Sequence, residues 1–160
     1  MQAKSVIAID QGTTGTKVHR LHDDGRFETL GGFEHRQIFP QPGWVEHDAG
    51  ELVEHITHCL DLATTADAIG LANQGETVIA WNAETKEPIH NAIVWQDART
   101  GSEIQRLKAT GMEAETLQRA GLPLDPYFSA SKLRWLLDNV ADVRGAAEAG
   151  RLALGTVESW

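Results

Sequence analysis

An apolar, β-branched run from Ser5 to Ile9 stops on Asp10, turns through Gln11-Gly12-Thr13, and resumes with Thr14, Thr16 and Val18 alternating with Gly15, Lys17 and His19. The second segment has a period of two, so the turn joins strand to strand. No other stretch limits the possible folds as strongly. A Gly-containing turn of this kind lets backbone N–H groups approach an anionic ligand closely. Thr13 and Thr14 add hydroxyls, and Lys17 adds a positive charge. Asp10 puts a carboxylate at a strand end, which suits a hydrated Mg²⁺. Asp10, Gly12, Thr13, Thr14, Gly15 and Lys17 together contain the parts of a phosphate cradle. An ordinary tight β-turn, whose threonines simply suit strands, accounts for the same residues.

Three other phosphate motifs do not fit. A Walker A loop needs G-x-x-x-x-G-K-[ST] feeding a helix, but Gly12 and Gly15 are too close and a strand follows. A haloacid-dehalogenase-type Asp-x-Asp-Gly-Thr aligned on Gly12-Thr13 puts Ile9 and Gln11 where both carboxylates should stand. A dinucleotide G-x-G-x-x-G is absent.

The remaining pattern alternates strands and helices. A strand is predicted from Phe27 to Phe33, after the turn signal Asp23-Asp24-Gly25, and a loop from Phe39 to Trp44. Asp48 with Glu51 forms an N-cap pair. Leu52, Val53, Ile56, Cys59, Leu60 and Ala63 follow at helical spacing. Strands are expected at Ala68–Ala72, Thr77–Trp81, Ala92–Trp95 and Leu152–Leu154. Helices are expected from Thr100 to Gly121 with a break at Gly111, from a cap at Ser129, and from Asp142 to Ala149. The fold class is α/β, a mixed sheet with helices on its faces. The close, LALGTVESW, places a helix start at Thr156 just before the chain stops on an aromatic residue. We expect a partial chain from this.

Composition narrows function. The 160 residues carry a net charge of −9 without a Lys/Arg cluster, so nucleic acid is not an expected partner. One cysteine excludes an internal disulfide framework, and the opening apolar run is too short for a signal or membrane segment. A reducing cytoplasm is the default. His55 and His58 lie three apart on a helix, but no carboxylate or cysteine completes a metal set. Glu46, His47 and Asp48 read as an N-cap with a polar first turn. Cys59 falls on an apolar stripe, and Trp81 and Trp135 fit packing roles. Asp97 and Arg99 form either a pair steadying a pocket floor or a weak surface pair.

Five ordered segments add a resemblance: DQGTTGTK, QPGWVEHD, NQGETVIAW, NAIVWQDART and DPYFSASKLRWLLDN. Their order and spacing, with the closing GTVESW, resemble the FGGY carbohydrate kinases, in particular the glycerol-kinase branch. The likeness spans essentially the whole chain. It implies a ribonuclease-H-like, actin-like ATPase domain, with residues 1–160 as the N-terminal part of the first, sugar-binding domain. The activity implied is transfer of the γ-phosphoryl group of ATP, with Mg²⁺, to a polyol or sugar hydroxyl. Thr13 and Thr14 would meet nucleotide phosphates, with Asp10, Gly12, Gly15 and Lys17 close by. Gly75, Glu76, Trp95 and Tyr127 would line the polyol pocket. The resemblance places the catalytic base, an Asp, and the adenine site downstream of residue 160, so no catalytic residue is assigned here and the piece alone is expected to be inactive. A homodimer or homotetramer is compatible with it. Two positions depart from the branch: Gly75 replaces an Arg, which leaves room for a larger or different polyol, and Gly15 and Lys17 replace Ser and Arg. The other readings are a catalytically silent family member that binds nucleotide or sugar, and an unrelated α/β phosphotransferase reusing the hairpin.

Overall fold

The structure is a computed structural model and describes residues 5–160. Residues 1–4, part of the opening read above as too short for a signal segment, lie outside it. In chain order the elements are β1 (Ser5–Gln11), β2 (Gly15–His22), β3 (Phe27–Glu34), β4 (Glu46–His47), α1 (Ala49–Leu62), β5 (Ala68–Ala72), β6 (Val78–Asn82), β7 (Ala92–Ile93), α2 (Gly101–Ala109), α3 (Met112–Ala120), α4 (Ser129–Asn139), α5 (Ala141–Glu148) and β8 (Leu152–Thr156). They divide into two compact units, Met1–Gln37 with His47–Gln74, and Ile38–Glu46 with Gly75–Trp160.

The first unit holds a sheet in the order β3-β2-β1-β5, in which β1 pairs antiparallel with β2 and parallel with β5. Alternation in β1 buries Ile7, Ile9 and Gln11 and leaves Val6, Ala8 and Asp10 exposed. Strand β1 is therefore buried on one face only. Helix α1 covers the buried face, where Ile7, Ile9, Val18 and Cys59 form the core. A fully buried side chain of this kind contributes about 1.5–3 kcal/mol. Asp48 caps α1, accepting from Gly50 N at 2.9 Å and Glu51 N at 3.3 Å. Glu51 does not reach back to the cap and instead accepts from Arg36 N at 3.2 Å. Val53 and Leu60, expected on the apolar stripe, are exposed, and α1 buries Ala49, Leu52 and Cys59.

The second unit holds a sheet in the order β4-β7-β6-β8, with β6 antiparallel to both β7 and β8. Its core is Val78, Ala80, Ile93, Leu136 and Val143. Strands β6 and β7 are almost wholly buried, so they read as continuous apolar runs. Gly111 and Gly121 stop α2 and α3 in left-handed conformations, at φ 81° and 70°, where a Cβ would be strained. The α/β class is as expected, but the strands form two sheets rather than one.

Three local expectations change. Strand β4 takes up Glu46 and His47, which were read as part of a polar cap region. The cap of α4 is Phe128, because the Ser129 hydroxyl is engaged elsewhere. Thr156 closes β8 and starts a turn, its carbonyl accepting from both Ser159 N and Ser159 Oγ, so no helix begins there. Among the described residues no helix is long and apolar enough to cross a membrane.

Candidate functional site

In the first unit the β1–β2 turn closes with Gly12 N donating to Gly15 O at 3.0 Å. The register sets Asp10 directly across from Lys17, so both end on the same solvent-exposed face. Thr14, Gly15 and Lys17 line a cavity of about 520 Å³ together with Gly32, His35 and Gln37. The backbone approaches closely here: a Cβ on Gly15 would lie 2.6 Å from Phe33 O, so a side chain at this position would force β3 to shift. Of the expected cradle residues, Thr14, Gly15 and Lys17 line this cavity, while Asp10, Gly12 and Thr13 lie on the same hairpin but outside the lining.

An aromatic cluster lies behind the turn. His35 is 5% exposed, and its Nε2 bonds Thr16 Oγ1 at 3.1 Å while Nδ1 meets His55 Nδ1 at 3.1 Å. Burial holds the His35 ring far below its usual value, at about 4, and the nearby His47 and His55 push the same way while Glu51 opposes them. Burial lowers His47 as well, again against Glu51. His35 is neutral in the fold and takes up a proton readily only when unfolded. Its contribution is complete above pH 6.5 and is lost as pH falls toward 4. We expect acidification across that window to remove up to about 3 kcal/mol of stability. Urea midpoints at pH 7 and pH 4.5 should show the loss, and His35→Gln should reduce it; equal slopes would dismiss the assignment.

In the second unit Glu76 follows Gly75 just before β6. Its Oε2 accepts from Ser129 N at 2.8 Å and from Ser129 Oγ at 2.5 Å. Its Oε1 has no hydrogen-bond partner among the described residues. Trp95 N is anchored on Thr77 Oγ1 at 3.2 Å, one residue on from Glu76. The Trp95 and Tyr127 rings meet edge-on with centroids 5.6 Å apart. Lys132 is fully buried, and its Nζ donates to Tyr127 O at 2.5 Å, Phe128 O at 3.4 Å and Glu76 O at 3.5 Å. One ammonium thus ties the backbone of Glu76 to that of Tyr127. Burial pulls Lys132 down to about 8, against the favourable fields of Glu76, Asp97 and Asp125. Glu76, Trp95 and Tyr127 are therefore linked by these contacts, with Gly75 adjacent to Glu76 in the chain.

Ser129, Lys132 and the histidine–glutamine contacts were not among the sequence candidates. Lys132 could have been noticed, because it shares a helical stripe with Leu133 and Leu136, where an unpaired charge is anomalous. Asp97 and Arg99 are buried, not a surface pair. Arg99 donates three times to Asp97, through its backbone N, Nε and Nη2, and once to Glu46, and its guanidinium stacks on Trp44 at 4.0 Å and Trp135 at 4.5 Å. No cluster of three or more His, Cys, Asp or Glu suited to a metal occurs among the described residues. A lone carboxylate at Asp10 still fits Mg²⁺, which binds one or two carboxylates and completes its shell with water and phosphate oxygens.

The architecture is that of sugar kinases with the actin-like ATPase fold. A Plasmodium falciparum glycerol kinase solved with ADP aligns over 99% of this chain and 33% of its own, with TM-score 0.89 and 28% identity. A Lactobacillus acidophilus gluconate kinase shares the fold at TM-score 0.83 and 22% identity, covering 98% of this chain and 32% of its own. The N-terminal domain of the FGGY family of carbohydrate kinases matches residues 5–160, and the chain belongs to that family. Glycerol kinases of Paraburkholderia phymatum and Burkholderia cenocepacia are 47% and 46% identical over all of this chain and 34% of theirs. The chain thus spans about a third of the length of these curated relatives.

Proposed function

We propose that residues 1–160 form the N-terminal part of the first domain of a carbohydrate kinase that phosphorylates a small polyol with ATP and Mg²⁺. The observation that carries this reading is the half-engaged carboxylate of Glu76. Ser129 fixes Oε2, which leaves Oε1 able to accept a hydrogen bond from a substrate hydroxyl. Tyr127 offers a second hydroxyl group, and Trp95 an apolar face for the carbon–hydrogen side of the polyol. The turn residues Gly12, Thr13, Thr14 and Gly15 receive nucleotide phosphates through backbone N–H and hydroxyl groups, with Lys17 balancing charge. Asp10 would hold the hydrated Mg²⁺, which neutralises charge on the phosphates when bound. No acid of this chain is assigned as base; by family likeness that Asp lies downstream. Catalysis by such a site is mostly positioning and charge neutralisation. A reducing cytoplasm suits a chain whose single cysteine is buried and unpaired.

The test is a polyol panel with ATP and Mg²⁺ on the full-length protein, read as ADP release. Turnover with one polyol supports the kinase; nucleotide binding without turnover on any polyol favours the catalytically silent reading. Gly75 bears on which polyol is used. A Cβ there meets nothing within 4 Å, so a long side chain has space. Gly75→Arg restores the donor found in the glycerol-kinase branch. We expect it to lower the glycerol KM by roughly tenfold, the worth of one charge-assisted hydrogen bond. Glycerol already serving as a good substrate, with no gain in the variant, would refute the pocket-opening role of Gly75.

A further inference from the structure

The hairpin turn is gripped by its carbonyls. Gly12 O accepts from Gln74 Nε2 at 3.0 Å, Thr13 O from Gln37 Nε2 at 2.9 Å, and Thr14 O from His35 N at 2.9 Å. In a planar trans peptide the carbonyl and the next N–H point in opposite directions. Each grip on a carbonyl therefore also sets the direction of the N–H of Thr13, Thr14 or Gly15 in turn. These are the groups that the reading above turns toward nucleotide phosphates.

His47 connects two of the three grips. Gln37 uses its NH₂ on Thr13 O, so its Oε1 is the atom facing His47 Nε2, 3.2 Å away. That ring nitrogen must then carry the hydrogen. In the neutral ring Nδ1 is left as an acceptor, and the carboxamide nitrogen of Gln74 lies 3.5 Å from it. Donors and acceptors alternate along the whole path from Thr13 O through Gln37, His47 and Gln74 to Gly12 O. Each carboxamide can bind its carbonyl only in one of its two flips, and the imidazole favours that flip at both ends. His47 is fully buried, so water cannot readily replace it.

We propose that His47 is a positioning residue for nucleotide binding: its neutral Nε2–H imidazole fixes the flips of the Gln37 and Gln74 carboxamides, which in turn hold the Gly12–Gly15 turn in its phosphate-binding shape. This rests on the turn being the nucleotide site. An apolar ring at 47 leaves Gln37 Oε1 without this donor, so the carboxamide is held less firmly, only by donating to Thr13 O at 2.9 Å and to His35 O at 3.3 Å. The turn then samples other orientations, and nucleotide binding weakens while the polyol pocket of the second unit keeps its contacts.

The experiment compares His47→Phe, His47→Gln, Gln37→Leu and Thr14→Val in the full-length kinase, measuring KM for Mg-ATP and for the polyol separately, with circular dichroism to confirm folding. His47→Phe and Gln37→Leu are expected to raise the ATP KM about tenfold, with the polyol KM within about twofold. His47→Gln keeps a donor on the Gln37 side and should recover part of the loss. If Thr14→Val raises the ATP KM but neither His47→Phe nor Gln37→Leu does, the positioning role fails and the nucleotide reading stands. If all the variants leave the ATP KM unchanged, the nucleotide reading itself fails. Equal rises in both KM values would mark His47 as a general structural residue and overturn the proposal. Should His47→Phe not fold, His47→Gln and Gln37→Leu decide alone: an unchanged ATP KM in both overturns it.

Discussion

Glu76→Ala in the full-length kinase is expected to raise the polyol KM by roughly 100-fold or to abolish turnover, with the ATP KM within about twofold. A site built around a substrate hydroxyl loses most when its acceptor is removed, because the hydroxyl is then buried unpaired. The carboxylate of Glu76 is pre-set by two bonds from Ser129, so little ordering is needed when a polyol arrives. Ser129→Ala provides the control. It removes the hydroxyl bond but keeps the backbone N–H bond, and should cost about tenfold in polyol KM. Unchanged polyol kinetics in Glu76→Ala would remove that residue from the pocket.

The largest stability effect is expected at Arg99. Its side chain is fully buried and holds Asp97 in a two-bond fork, with Nε to Oδ1 at 2.9 Å and Nη2 to Oδ2 at 2.8 Å. Nη2 also reaches Glu46 Oε1 at 2.8 Å. The carboxylates have other donors: Val45 N to Asp97 at 2.7 Å and Asn91 Nδ2 to Glu46 at 3.0 Å. None of these supplies a full positive charge, and His90, 3.9 Å from Glu46, is charged only when protonated. Arg99→Met would keep much of the packing between Trp44 and Trp135 but take from two buried carboxylates the cation they share, leaving Asp97 only the field of Lys132. Breaking a buried pair in this way costs about 3–5 kcal/mol. A urea titration should show the drop. A variant as stable as the parent would contradict the burial of this network.

The hairpin was legible because its information is local. Period-two alternation, a Gly turn and a strand-ending Asp all lie within a dozen residues, and the register then placed Asp10 across from Lys17. The glycine stops at 111 and 121 were legible for the same reason. Strand β4 was not, since two polar residues have no periodicity and become a strand through pairing with β7 and a bridge between Glu46 and Ile38. Ser129 was misread because a serine before an apolar stripe is an ordinary N-cap signal. A carboxylate 53 positions away outcompetes the cap, since a charged acceptor is stronger than a capping bond. The exposure of Val53 and Leu60 was likewise invisible, since helical spacing shows which residues share a face but not what covers it.

Taken alone, the sequence determined the α/β class and the family likeness, and it nominated residues for a cradle and a pocket, because these follow from short-range pattern and ordered motifs. Tertiary structure decided what each polar side chain does. Whether Arg99 is a surface charge or a buried clamp, whether Lys132 faces water or three carbonyls, and which nitrogen of His47 bears hydrogen all depend on partners distant in the chain. Desolvation makes those pairings obligatory, and desolvation exists only once the chain has folded.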